Sequence, residues 1–132
     1  MIIYTSVLSA LEVNPSSGAH PAVPALVQSK DASLILWISI LAVVVAPIIE
    51  ELFFRGALYS WLRERLTPKL AIFLSAILFA ALHPQGAVGV FPLTLIGMTL
   101  AWVREWRGGL LACIVCHMCV NGFTLFMVSR IS

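Results

Sequence analysis

The chain has 132 residues, 61% of them hydrophobic and 11% charged, with a mean hydropathy of +1.02 and a formal net charge of +2. Soluble domains run at about 45–50% apolar and about 25% charged, so a water-facing globule is excluded and the class is an integral, multi-pass membrane protein. Neither a basic stripe nor an alternation of aromatic and basic residues is present, and no nucleic-acid partner is expected.

Residues 1–14 read as a short apolar stretch. It lacks a basic n-region and a small-residue cleavage pattern, so it is not read as a signal peptide. Asn14 to Asp31 carries Pro15, Pro21, Pro24 and Gly18 and reads as a loop or re-entrant segment. These residues, 1–31, are set apart from a core over 32–132. From Ser33 the pattern is helical as far as Leu66, roughly 50 Å against a hydrocarbon core of ~30 Å. Pro47 is placed to kink this helix, and Arg63-Glu64-Arg65 should lie outside the membrane.

Thr67-Pro68 is a helix start. A second span is predicted from Lys69 to Leu82, closed by His83-Pro84-Gln85-Gly86. A third covers Val88 to Val103, with Pro92 and Gly97 inside it, and Arg104 to Gly109 reads as a polar turn. The fourth runs Leu110 to Val128. The fold class is therefore all-α: a polytopic transmembrane bundle of about four membrane helices. Basic residues follow span one (Arg63, Arg65, Lys69) and span three (Arg104, Arg107) but not span two, which by the positive-inside rule puts those two connections in the cytoplasm. Trp61, Trp102 and Trp106 fit the aromatic belt beside them.

Three ionisable groups interrupt the first span: Glu50, Glu51 and Arg55. Each is expensive in hydrocarbon, with insertion scales near ~2.5–3.5 kcal/mol for a central charge. Glu51 and Arg55 are four apart and share a helix face as an ion pair; Glu50 is turned about 100° away. Counted from the basic ends, Glu50 and His83 both lie roughly 20 Å along their helices. His117 and Asn121, again four apart, lie at a similar depth on the fourth span. Phe79, one turn before His83, is placed to wall that histidine off from lipid. A carboxylate in a poorly solvated pocket beside an imidazole suits general-base activation of water. A second imidazole and an amide suit the oxyanion of a tetrahedral intermediate.

The series Glu50-Glu51-x-x-x-Arg55, Phe79-x-x-x-His83 and His117-x-x-x-Asn121, in that order on successive apolar helices, resembles the CAAX protease and bacteriocin-processing (CPBP) family. That family includes type II CAAX prenyl endopeptidases and proteins called abortive-infection or self-immunity proteins. The resemblance covers about Asn14 to Val128. It implies an intramembrane endopeptidase in which Glu50 and His83 activate water, His117 and Asn121 hold the oxyanion, and Glu51, Arg55 and Phe79 support the site. It further implies a protein or peptide substrate, lipidated where the host makes lipidated partners, and a location in an inner cell membrane, bacterial or otherwise, with the site facing the cytoplasm. Members carry several helices before this core and this chain carries one short stretch, so a shortened member is expected.

No cofactor is expected. The alternatives are a zinc-dependent version with His83 and His117 as ligands, or a non-catalytic scaffold or immunity-type protein of the same fold. Cys113-x-x-Cys116-His117 spells a c-type haem pattern, but it lies inside an apolar span, and Cys113, Cys116 and Cys119 are read as packing residues.

Overall fold

In the computed structural model, which describes residues 31–131, Asp31 opens the first helix by accepting hydrogen bonds from the Ser33 and Leu34 amides at 2.9 and 3.4 Å and from the Ser33 hydroxyl at 2.7 Å. The hydrogen bonds from Ser33 and Leu34 hold this exposed carboxyl below the usual carboxylate range. The reading of residues 1–30 lies outside the described residues.

Four helices follow: α1 (Ala32–Arg63), α2 (Pro68–Ala81), α3 (Gly86–Arg107) and α4 (Leu110–Ile131). No strand occurs among the described residues. Helices α1, α3 and α4 are long and apolar enough to cross a membrane, while α2 is a shorter apolar helix of 14 residues. At ~1.5 Å per residue α2 reaches only roughly 21 Å, less than the ~30 Å hydrocarbon core.

Two expected boundaries move. Helix α1 stops at Arg63 instead of Leu66, leaving a short link to Thr67-Pro68. Arg104 to Arg107, read from their polarity as a turn, are the last turn of α3. The stop comes one residue later, at Gly108, whose left-handed φ of 69° suits glycine and whose amide bonds to the Arg104 carbonyl at 3.0 Å.

Pro47 does not break α1. The helix instead widens into π-helical turns at Leu41–Val45 and Leu52–Leu58, on either side of the α-helical turn Ala46–Glu51 that carries the acidic pair. Such turns absorb a proline in an apolar helix and commonly mark functional sites. Carbonyls within both take side-chain donors: Ala42 O accepts from Asn121 Nδ2 at 2.9 Å, and Arg55 O from Arg104 Nε at 3.3 Å and Ser60 Oγ at 3.4 Å. Two of these bonds come from other helices, so the local widening also pins α1 to α3 and α4.

The distribution of polarity is that of a membrane protein. Trp37, Leu82, Phe91 and Leu111 are each more than 60% exposed, while Glu51, Arg55, Ser75 and His117 are buried. Lipid takes the apolar surface, so the interior is free to hold small and polar residues. Antiparallel α2 and α3 approach closely through such residues: Ala71 and Ala101 share one buried cluster. Nearby, a Cβ placed on Gly97 would lie 3.0 Å from Ala76 Cα and 3.1 Å from its Cβ. Because the obstacle is backbone, Gly97→Ala is expected to lower stability by about 1–3 kcal/mol. Gly122→Ala, whose new methyl would meet only Val43 Cγ1 at 3.6 Å, should be tolerated. Thermal unfolding of the two variants in the same detergent checks the contrast, and equal melting temperatures would refute it.

Candidate active site

Helical spacing sets the first half of the site. Glu51 and Arg55, four apart on α1, form an ion pair with Arg55 Nη1 2.8 Å from Glu51 Oε1, both side chains fully buried. The second terminal nitrogen of Arg55 donates to the Gly97 carbonyl at 2.9 Å, so the guanidinium fork ties α1 to α3. The same Glu51 oxygen lies 2.8 Å from His117 Nδ1 on α4. Against an ionised carboxylate Nδ1 is the donor, so the ring turns Nε2 away from Glu51. This contact between α1 and α4 was not anticipated. The available signal was arithmetic: a carboxylate has about four acceptor positions, and one arginine cannot fill them. Glu51 Oε2 and Arg55 Nε have no hydrogen-bond partner among the described residues.

Glu50 points elsewhere, as its adjacent position on a helix requires. Its side chain is 31% exposed and lines a cleft of about 290 Å³ with Ile49, Phe53, Phe54, Leu82 and His83. Its Oε2 lies 3.7 Å from His83 Nε2 and 3.6 Å from His117 Nε2. His83 Nδ1 sits 2.6 Å from the Phe79 carbonyl. A carbonyl only accepts, so Nδ1 carries the proton and, in the neutral ring, Nε2 is a lone pair facing Glu50. The depth count along three helices thus brings Glu50, His83 and His117 to one point.

Phe79 lies inside the bundle. Its buried ring packs 4.2 Å from His83 and 5.7 Å from His117, with the Arg55 guanidinium carbon 4.7 Å above it. It contributes a cation–π contact to Arg55 while its ring flanks both imidazoles. Asn121 lies one turn beyond His117 with one amide hydrogen committed to Ala42 O. Among the described residues it makes no hydrogen bond to Glu50, His83 or His117.

His83 and His117, the pair named for zinc, meet at Glu50, yet no group of three or more His, Cys, Asp or Glu among the described residues is arranged to hold a metal ion. Buried Cys113 leans on the Leu100 and Gly109 carbonyls at 3.6 Å, and Cys116 and Cys119 are exposed along α4.

Neither a curated protein nor a solved structure matches the chain. A family model described as Rce1-like, type II CAAX prenyl endopeptidase, matches residues 32–123, a stretch that contains every one of the side chains above. With more than half of its length matched and the acidic pair, both histidines and Asn121 inside the match, the chain belongs to the Rce1-like family of type II CAAX prenyl endopeptidases.

Proposed function

We propose that the chain is an intramembrane endopeptidase whose Glu50 and His83 activate a water against a peptide carbonyl. The observation that carries this reading is the single Glu50 oxygen facing two imidazole Nε2 atoms at 3.7 and 3.6 Å, at the wall of an apolar cleft. These separations exceed a direct hydrogen bond of about 2.7–3.2 Å and are the kind one water bridges. His83 holds the water through Nε2, because its Nδ1 proton is committed to Phe79 O. Glu50 takes one water proton as the oxygen attacks the carbonyl carbon. The resulting oxyanion accepts hydrogen bonds from His117, when its Nε2 is protonated, and from the second amide hydrogen of Asn121. Glu50 then returns its proton to the leaving nitrogen, the C–N bond breaks, and a carboxylic acid and an amine are released.

The cleft walls, Ile49, Phe53, Phe54 and Leu82, suit a substrate with apolar side chains or a lipid chain. Together with the family this favours the C-terminal segment of a prenylated protein. The basic residues that end α1 and α3 favour a cytoplasmic location for those ends of the bundle, and the cleft, lined by Leu82 and His83 where α2 joins α3, lies toward the other end.

The test is cleavage of a prenylated reporter peptide by the purified protein in liposomes. His83→Ala should lower the rate about 10²–10⁴-fold without changing the thermal unfolding profile; a near-wild-type rate would overturn the assignment. Cleavage should also persist in a strong chelator, and loss of activity restored by added zinc would overturn the metal-free form of the mechanism.

A further inference from the structure

A second cavity, of about 330 Å³, opens at the basic end of the bundle between α1 and α3, lined by Tyr59, Ser60, Arg63, Glu64, Arg104 and Glu105. It is separate from the cleft: Arg63 lies 13 residues beyond Glu50, roughly 20 Å along the helix. Its two carboxylates are already matched. Glu105 accepts from the Tyr59 hydroxyl at 2.6 Å and from Arg63 Nε at 3.2 Å, and Glu64 pairs with Arg65 at 3.3 Å. The two guanidinium groups are only half used. Arg63 spends Nε on Glu105 and Arg104 spends Nε on the Arg55 carbonyl. Among the described residues neither puts a terminal nitrogen into a hydrogen bond, so two forks line one cavity with their donors unspent. After pairing, the positive charge of Arg104 is left over.

We propose that this cavity binds the phosphate of an anionic membrane lipid. Paired guanidinium forks match phosphate oxygens in geometry and charge, and the volume is at the small end of ligand pockets. The position argues for a lipid over a dissolved phosphate. Trp61, Trp102 and Trp106 are exposed at the same end of the bundle, the arrangement of an interfacial aromatic belt. Basic pockets between membrane helices on the side rich in Lys and Arg take anionic headgroups. The site does not depend on whether the chain cuts peptides.

Thermal unfolding of the full chain in a neutral detergent tests this, with titration of short-chain phosphatidylglycerol, short-chain phosphatidylcholine or inorganic phosphate. Phosphatidylglycerol should raise the melting temperature saturably, phosphatidylcholine should not, and inorganic phosphate should act only at far higher concentration. Arg104→Gln should weaken the phosphatidylglycerol response by about tenfold or more, whereas Arg107→Gln, outside the cavity, should keep it. If Arg104→Gln does not fold, Ser60→Asp, which sets a negative charge on the cavity wall, carries the same expectation. Equal potency of inorganic phosphate would overturn the lipid assignment. An absent response, or one unchanged in Arg104→Gln or Ser60→Asp, would overturn the site.

Discussion

Glu50→Gln is expected to fold like the wild type and to lose about 10²–10⁴ of its cleavage rate. The two halves of that expectation rest on different observations. Glu50 is partly exposed in the cleft, and both imidazoles stand beyond direct hydrogen-bond distance from it, so neutralising it breaks no buried pair. The amide keeps the shape of the side chain but cannot take a proton from water, which removes the base and leaves the cleft intact. Matched melting curves for the two proteins, followed by reporter cleavage in liposomes, separate folding from chemistry. Activity within a few-fold of wild type would remove Glu50 from the role of base and return it to a polar residue at a cleft wall.

Arg55→Ala should behave in the opposite way, with a stability loss of about 3–5 kcal/mol that precedes any question of catalysis. The guanidinium and the Glu51 carboxylate are both fully buried. Removing one partner leaves a charge in the bundle interior with only His117 beside it, a case that typically costs this much. Arg55→Lys should recover only part of it, because a lysine cannot reach Glu51 Oε1 and the Gly97 carbonyl with a fixed fork. The double variant Glu51→Met, Arg55→Met should be more stable than Arg55→Ala, since it removes the stranded charge as well as the pair. It should still cleave poorly, because His117 loses the acceptor that orients its ring. Chemical or thermal unfolding in detergent reads the order of stabilities; wild-type stability in Arg55→Ala would show that the pair contributes nothing to the fold.

The distinction between Glu50 and Glu51 shows how far residue order alone reaches. Helical geometry forces adjacent residues about 100° apart, so the division of the acidic pair into one buried, paired member and one turned elsewhere is readable before any tertiary contact is known. The common depth of Glu50, His83 and His117 is likewise a matter of counting along straight helices from their charged ends. Pro47 was less readable. A proline lacks one hydrogen bond in any helix, but whether the chain kinks or widens depends on what can take up the freed groups, and Asn121 and Arg104, which bond to carbonyls in the widened turns, come from other helices. Arg104 to Arg107 differ from the expectation for a related reason: three charged residues around Trp106 resemble a turn, yet Glu105 is matched by Tyr59 and Arg63, so the helix can carry them.

What residue order determined by itself was the solvent, the helices and the depth of each polar group, because hydrophobicity, period and rise per residue are local properties of the chain. Which groups meet was decided only in three dimensions. The same Glu51 oxygen that pairs with Arg55 also receives His117 from α4, and the arginine reaches the Gly97 carbonyl on α3, where Gly97 in turn packs against Ala76 of α2. Interhelical rotation and close approach are set by side-chain volumes acting across the bundle, and no periodicity along one helix encodes them.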